Sequence, residues 1–255
     1  MSETEEKAKR VFGERAADYV ASATHADPAV LARVVALAAP APGWSALDVA
    51  TGTGHTALAL APLVARVVAV DLTPEMLAEA ERLAAARDVR NVEWRVGDVH
   101  GLPFEDASFD LVTSRRAPHH FSDIAQALGE MRRVLKPGGR LVIDDRSVPE
   151  DDFLDACMNR LDWLHDESHV REYRPSEWRR LLEAAGFVVD AVEPYQQHRP
   201  ITSLTKGVSA ENVRAIEKTL AELDAAPRAA FDLREVAGVL HLNHWYVTLA
   251  ATRAR

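Results

Sequence analysis

The sequence has a single cysteine, Cys157, among its 255 residues. One thiol cannot close a disulfide within the chain, and there is no second cysteine for a zinc site built on thiolates. Such sparing use is typical of a reducing compartment, so we expect a cytoplasmic protein. The first ten residues, MSETEEKAKR, are charged rather than apolar, which indicates that no signal peptide is present. No apolar run approaches the roughly 20 residues that a membrane-spanning helix needs, so we predict a soluble protein.

Positive charge is in deficit as well. Lys and Arg number 30 against 39 Asp and Glu, which gives a formal net charge of −9. A field of that sign repels phosphate backbones, so nucleic acid is not an expected partner. With 47% hydrophobic and 27% charged residues, the composition is that of an ordinary globular protein. The length suits one α/β domain with insertions, covering residues 1–255, and leaves the oligomeric state open.

The first 40 residues predict helices. Residues 1–10 suggest a charged, frayed terminus, from which a helix can continue to about Val20. Asp27 followed by Pro28 is a favourable helix start, with Asp at the N-cap and Pro in the first turn. That helix must end before Pro40.

Short apolar segments, often β-branched, then alternate with helical stretches of ten or more residues. Helix starts are marked by Thr73-Pro74 and by Ser122-Asp123. Strands that are apolar on both faces and alternate with helices predict a parallel sheet covered by helices on both sides. The predicted strands are Ala46–Ala50, Val67–Val70, Val92–Val96, Phe109–Thr113 and Arg140–Asp144, and the predicted helices cover about 55–64, 74–87 and 123–135.

After Ser147 this alternation stops. We interpret residues 150–174 and 194–240 as insertions, because they are longer than ordinary loops and such segments commonly cover a site. The other elements predicted in this half are a helix at Pro175–Ala185, a strand near Val188–Val192, a helix near 210–223 and a last strand at Trp245–Ala251.

Acidic residues close three successive predicted strands. Asp48 ends the first strand and is followed by Gly52 and Gly54, and Asp71 and Asp98 end the second and third strands. Open α/β sheets bind ligands at the carboxyl ends of their strands, and a glycine turn lets the backbone approach a ligand closely. A carboxylate at the second strand can accept the hydroxyls of a ribose, and the one at the third strand can accept an adenine amino hydrogen.

Four segments of the chain resemble the consecutive motifs of S-adenosylmethionine (SAM)-dependent methyltransferases of the type-11 group: DVATGTGH, VVAVDLTPEML, VGDVHGLPFEDASFDLVTSRRAPHHF and RVLKPGGRLVIDD. That group contains the ubiquinone/menaquinone C-methyltransferases and many relatives that act on small molecules. The resemblance spans about residues 45–145. It implies a doubly wound, mostly parallel seven-stranded α/β sheet of order 3-2-1-4-5-7-6 with the last strand antiparallel, a SAM-binding core over 45–147 and helical cap insertions.

The same resemblance distributes the cofactor SAM over the site. The methionine end would lie at the first strand and its glycine turn, the ribose at the second strand and the adenine at the third. The N-terminal helices, within residues 1–40, would fold over the cofactor, with Phe12 as a further candidate contact. The assigned cofactor-binding residues are Tyr19, Asp48, Gly52, Thr53, Gly54, Asp71, Leu72, Met76, Asp98, Val99, Ser114 and Arg115.

The segment after the fourth strand carries the candidate catalytic residues, His119 and His120. One of them could serve as a general base, and packing against Phe121 is the competing interpretation. We expect that His120 is not the more exposed of the two. His165 and His169 could line an acceptor pocket or pack within the cap.

The motifs of two better-defined subfamilies are absent from this region. It lacks both the Asn/Asp-Pro-Pro-aromatic motif of DNA amino methyltransferases and the paired glutamates of protein arginine methyltransferases. A small-molecule acceptor is therefore expected, with O, N or C as the reacting atom. No metal site is predicted.

Two other functions stay open at the level of sequence. A nicotinamide-dependent oxidoreductase can share the fold, although Ala57 stands where the dinucleotide fingerprint has its third glycine. A SAM-binding protein without catalytic activity would carry the same motifs.

Overall fold

The computed structural model describes residues 3–20 and 25–255, apart from the side chain of Asp18. Within these ranges no helix is long and apolar enough to cross a membrane. The helices are α1 Glu3–Val20, α2 Pro28–Ala38, α3 His55–Leu60, α4 Pro74–Ala86, α5 Ile124–Val134, α6 Asp152–His165, α7 Pro175–Ala184, α8 Thr202–Thr205, α9 Ala210–Ala221 and α10 Ala225–Ala230. The strands are β1 Ser45–Val49, β2 Arg66–Asp71, β3 Val92–Val96, β4 Phe109–Arg115, β5 Leu135–Ser147, β6 Phe187–Pro200, β7 Arg234–Val236 and β8 Val239–Arg253.

The strands form one sheet in the order β3-β2-β1-β4-β5-β8-β6. Strands β1 to β5 are mutually parallel, and β8 runs antiparallel to both β5 and β6. This confirms the predicted order and the antiparallel last strand. The three-residue β7 is an addition that pairs only with the start of β8. The strand order reverses between β1 and β4, and a crevice opens there at the carboxyl ends of the strands.

Helix starts lie where the sequence places them. Asp27 accepts a hydrogen bond from the Ala29 amide at 2.9 Å, and Asp123 accepts one from the Gln126 amide at 2.9 Å. Thr73 is the N-cap of α4, but its side chain makes no capping bond. Its hydroxyl instead hydrogen-bonds to Asp71, which ties this helix start to the end of β2.

The frayed N-terminus was predicted wrongly, because α1 is already helical at Glu3. Val11 and Ala16 of this helix are buried, and α1 packs against α4. An isolated polar helix of this length is marginal in water, so its stability comes from this packing. Of the charges that suggested fraying, Lys7 and Glu3 pair with each other at 2.9 Å, whereas Glu5 is buried.

Strands β6 and β8 are longer than predicted. Their pairing continues through Pro194–Val247 to Pro200–His241, so the first residues of the predicted 194–240 insertion belong to a two-stranded ribbon. This extension carries many polar side chains and two prolines, which hid the strand pattern.

The helices of the two insertions pack together into one cap. A cluster of buried side chains joins α6 to α8, α9, α10 and the start of β8, separately from the two clusters that flank the sheet. Two regions about 40 residues apart in the sequence therefore share one apolar core. Its buried members are Val148, Cys157, Met158, Leu161, Leu164, Leu204, Ile216, Leu220, Phe231 and Leu242.

We predict that Gly54→Ala destabilises the protein and that Gly43→Ala does not. Gly54 has φ +79°, and a carbon added to it would lie 2.7 Å from the Trp94 ring. Left-handed backbone and overpacking each cost about 1–3 kcal/mol, so the free energy of unfolding should fall by about 2–4 kcal/mol in urea titrations. Gly43 has no atom within 4 Å of the added carbon and serves as the control. Equal stabilities of the two variants would contradict the close packing at Gly54.

Candidate active site

Asp48, in β1, is buried at the centre of the crevice. Its two carboxylate oxygens accept hydrogen bonds from the Thr113 and Thr51 hydroxyls, both at 2.6 Å. Burial raises its pKa to about 6, so the carboxylate is ionised at neutral pH. A buried anion in this position suits a ligand that carries a positive charge.

Asp71 organises the glycine turn. One of its oxygens accepts from the Gly52 amide at 2.7 Å and the other from the Thr73 amide at 2.9 Å. The Thr73 hydroxyl also hydrogen-bonds to this carboxylate, which is thereby fixed at the wall of the crevice. Gly52 has φ +55° with open space on its side-chain side, so its backbone is accessible from the crevice.

Asp98 is hydrogen-bonded to His100, a residue that was not singled out from the sequence. Its Oδ1 accepts from the His100 amide at 2.9 Å and lies 2.7 Å from His100 Nδ1. The Asp123 amide donates to His100 Nε2 at 3.3 Å, so the ring proton is on Nδ1 and faces Asp98. Glu5 of α1 approaches the same Nδ1 at 3.4 Å and accepts a hydrogen bond from Ser122. Helix α1 thereby closes over this end of the crevice.

These groups line one cavity, the donor cavity, which contains all but two of the predicted cofactor-binding residues. Gly54 lies outside its lining because it packs against Trp94, and Ser114 is buried within β4. The cavity is also lined by Thr51, Thr73, Gly97 and His100. The predicted residues that line it are Tyr19, Asp48, Gly52, Thr53, Asp71, Leu72, Met76, Asp98, Val99 and Arg115.

Arg115 presents an unused donor in the donor cavity. Its Nε donates to the Thr56 hydroxyl at 2.9 Å and its Nη2 to the His25 carbonyl at 2.6 Å. Its Nη1 is buried without a hydrogen-bond partner among the described residues. Burial lowers the pKa of this guanidinium, which reflects the cost of holding the charge there. A ligand carboxylate would satisfy Nη1.

A second cavity, the acceptor cavity, adjoins the first beneath the cap. It encloses about 620 Å³ between the cap, α1 and the extended part of β6. His119, His165 and His169 line it, as the sequence analysis allowed. The two cavities share one ring of residues, the junction, which consists of Phe12, Tyr19, His25, Arg116 and His120.

His119 is fixed by Asp145, a buried residue of β5. Its amide donates to Asp145 Oδ2 at 2.8 Å, and its Nδ1 lies 2.6 Å from Oδ1. Burial raises the pKa of Asp145 to about 7, and burial beside His120 and Arg146 keeps the pKa of His119 well below its usual value. His119 is thus a neutral imidazole whose Nδ1 is held by Asp145.

His120 lies at the junction, and the prediction that it is not the more exposed histidine is wrong. His119 is buried and His120 is half-buried, because Asp145 draws only His119 into the protein. His120 Nδ1 lies 3.1 Å from the Ser168 carbonyl oxygen. A carbonyl only accepts, so Nδ1 carries a proton, and in the neutral form of the ring the lone pair is on Nε2. Its ring also meets Phe12 of α1 edge-on, with centroids 5.0 Å apart.

Arg116 completes the junction and was not singled out from the sequence. It has φ +55°, an unfavourable conformation for a residue with a side chain. Its guanidinium lies 3.7 Å from the centre of the Tyr246 ring, Nη2 donates to the Tyr195 hydroxyl at 2.9 Å, and Nε lies 3.1 Å from Asp144. Asp144 also accepts from Tyr195 and Thr248, at 2.8 and 2.9 Å. This network holds a cation between the two cavities.

The sheet order and the two adjoining cavities define a Rossmann-like methyltransferase fold, and comparison with known proteins agrees. A family model described as a methyltransferase domain matches residues 47–143. The chain belongs to the family of SAM-dependent methyltransferases. Membership decides against a nicotinamide-dependent oxidoreductase.

Similar proteins include the YcgJ protein of Bacillus subtilis. Its crystal structure superposes with a TM-score of 0.83 and 32% identity, covering 88% of this chain and 98% of that one. In sequence, the uncharacterized methyltransferase YcgJ is 46% identical over 138 residues, 54% of each protein. The demethylmenaquinone methyltransferase of Deinococcus radiodurans is 47% identical over 122 residues, 47% of this chain and 49% of that protein. The aligned region thus spans about half the length of these curated relatives.

We predict that His119→Ala and His120→Ala differ in stability. Removing the buried His119 ring leaves Asp145 Oδ1 without its side-chain partner, and the unsatisfied acceptor together with the lost packing should cost about 2–4 kcal/mol of unfolding free energy. His120 is half-buried and its loss should cost about 1 kcal/mol. Urea titrations of the two variants at pH 7 measure the difference. Equal losses would show that the contacts between His119 and Asp145 contribute little.

Proposed function

We propose that the chain transfers a methyl group from SAM, bound in the donor cavity, to a small molecule bound in the acceptor cavity. The observation that supports this is the junction, where the two cavities meet at a ring of five residues. A reaction between two bound molecules needs such a contact. The acceptor cavity lies beneath the cap, which favours a small molecule over DNA, RNA or protein. A cytoplasmic location is part of the proposal, supported by the use of a single cysteine, Cys157.

The donor cavity fits SAM group by group. Arg115 Nη1 lacks a partner and suits the carboxylate of the methionyl part, and the ionised Asp48 suits its positively charged groups. Asp71 and Asp98 both line the cavity, and their carboxylates would accept from the ribose hydroxyls and from the adenine amino group, respectively. The apolar lining beside them, from Leu72 and Met76, suits the nucleoside. When bound, SAM supplies a methyl group already activated by its sulfonium.

The chain itself then positions the two reactants and excludes water from the place where they meet. Holding two reactants in the correct geometry can supply about 7–11 kcal/mol of the barrier reduction. Phe12 and Tyr19 of α1 contact each other edge-on, with centroids 5.8 Å apart, and line both cavities. They form an aromatic wall that keeps the junction apolar on one side.

His120 is the proposed general base. It lies at the junction, and its Nε2 can accept a proton because Nδ1 donates to the Ser168 carbonyl. His119 contacts the other side of the His120 ring, with centroids 4.0 Å apart, and is itself held by Asp145. We assign His119 the role of positioning His120 and of lining the acceptor cavity.

We predict that SAM and S-adenosylhomocysteine bind the wild-type protein and that Asp71→Ala weakens both. Loss of charge-assisted hydrogen bonds typically costs about 1.5–3 kcal/mol, which corresponds to roughly a 10- to 150-fold rise in Kd. Calorimetry measures Kd, and circular dichroism verifies folding. Asp224→Ala removes an exposed carboxylate outside both cavities and should leave Kd unchanged. Wild-type affinity in Asp71→Ala would remove this residue from the site, and no binding to the wild type would refute the proposed function.

We predict that His120→Ala lowers kcat at least about tenfold, because a general base typically contributes about a hundredfold or more. The affinity for S-adenosylhomocysteine should be unchanged, because the cofactor contacts lie elsewhere. Turnover is measured across phenols, quinols and amines, with quinols included because of the demethylmenaquinone methyltransferases among the relatives. Full turnover in His120→Ala would show that His120 is not a general base and would favour the interpretation that it only packs against its neighbours. Binding of SAM without turnover of any acceptor by the wild type would favour a non-catalytic protein.

A further inference from the structure

The acceptor cavity has the opposite charge balance to the whole chain. The chain has a formal net charge of −9, yet the charged side chains lining this cavity are five basic and two acidic. The basic residues are Arg15, Arg116, Arg146, Arg199 and Lys206, and the acidic residues are Asp162 and Asp166. A cavity that collects cations in an acidic protein is suited to a negatively charged molecule.

Asp162 is ion-paired and Asp166 is hydrogen-bonded, and Arg146, which pairs with both Asp162 and Glu172, is engaged as well. Asp162 lies 2.6 Å from Arg146 Nη2, and although burial opposes it, this charge lowers the pKa of Asp162. Asp166 accepts from the Ser168 amide at 2.9 Å and from its hydroxyl at 2.7 Å. Neither carboxylate lies at the junction, so neither is placed to hold a cationic reacting group there.

Three of the histidines that line the cavity, His119, His165 and His169, are neutral and add no charge to it. Burial lowers the pKa of His169 to about 4 and that of His165 below its usual value, and His119 is held neutral as described above. Neutral imidazoles can accept a proton from an acceptor but provide no counter-ion for an ammonium.

At the junction itself, the positive charge is the guanidinium of Arg116. Nη2 donates one hydrogen to Tyr195, Nε lies 3.1 Å from Asp144 in an ion pair, and the guanidinium has five N–H donors in all. The remaining hydrogens belong to a residue that lines both cavities. Hydrogen bonds from a guanidinium to an anion are among the strongest in proteins, whereas an ammonium beside it would be repelled in a buried site.

We propose that the methyl acceptor binds as an oxyanion, with its reacting oxygen between Arg116 and His120, and that amines are excluded. This rests on the proposed methyl transfer and specifies its substrate class as acidic hydroxyl compounds. An acceptor that arrives as the neutral hydroxyl gives its proton to His120 Nε2. An electron pair of the oxyanion then forms the new bond to the methyl carbon, while the carbon–sulfur bond of the donor breaks and its electron pair stays on sulfur. Arg15 and Lys206, at the outer part of the cavity, attract the anion.

The test compares two probes of the same shape, 4-nitrophenol and 4-nitroaniline, on protein saturated with S-adenosylhomocysteine. The phenolate should bind at least about tenfold more tightly than the aniline, the ratio expected for a charge-assisted hydrogen bond. Bound 4-nitrophenol should also ionise at a lower pH than the free compound, which its visible phenolate absorption reports. Arg116→Gln should abolish both effects, and Arg116→Lys should retain part of the binding preference.

Control variants separate a loss of phenolate binding from a loss of the folded structure. Arg116→Gln is used only if it binds S-adenosylhomocysteine like the wild type. A second variant, Arg199→Gln with Lys206→Gln, removes two cavity cations away from Asp144 and should weaken phenolate binding about threefold or more, as expected for partly screened charges. Arg179→Gln removes one exposed charge on α7 and should change nothing.

Equal binding of the two probes, or no binding of the phenolate, overturns the proposal. So does a phenolate preference that survives in both cavity variants. These outcomes are separate from failure of the proposed function, which would show as absence of S-adenosylhomocysteine binding before any probe is added.

Discussion

Two adjacent carboxylates at the end of β5, Asp144 and Asp145, organise the region where the cavities meet. Both are fully buried, and a buried carboxylate is tolerated only when hydrogen bonds or opposite charges compensate for lost hydration. Successive residues of a strand point to opposite faces, so the two carboxylates draw on different partners. Asp144 holds Arg116 through an ion pair, and Asp145 holds His119 through two hydrogen bonds.

The loop after β4 takes its shape from these two anchors. Arg116 adopts a left-handed backbone conformation, and such strain persists only where surrounding contacts compensate for it. Between Arg116 and His119 the chain has only two residues to turn, which leaves His120 facing the junction rather than the interior. Arg116 and His120 are thereby both presented at the contact of the two cavities.

Much of the fold and the donor cavity could be predicted from the sequence. Asp48, Asp71 and Asp98 were found because each closes an apolar strand, and parallel strands bring their ends to one edge. Their positions depend on local pattern and sheet order alone. The N-cap aspartates of α2 and α5 were identified for the same reason, since capping depends on neighbours in the sequence.

The acceptor cavity could not be predicted in this way. Arg116 appears in the sequence as one of two consecutive arginines, and only the sheet pairing with β5 shows that Asp144 fixes it. The shared core of the cap joins residues about 40 to 90 positions apart, and no local period signals that contact. Likewise, the exposure order of His119 and His120 depends on a carboxylate 26 positions away.

Helix α1 makes the two cavities interdependent. Phe12 and Tyr19 line both, while polar contacts tie α1 to the core and the cap: Glu5 bonds to Ser122, and Arg10 pairs with Glu167 of the segment after α6. Surface ion pairs of this kind contribute little each, so α1 is held more weakly than the buried strands beneath it. A ligand in the donor cavity adds contacts along the inner side of α1 and thereby stabilises the wall of the acceptor cavity. Because coupling through a shared wall is reciprocal, a ligand in either cavity then raises the affinity of the other cavity for its own ligand.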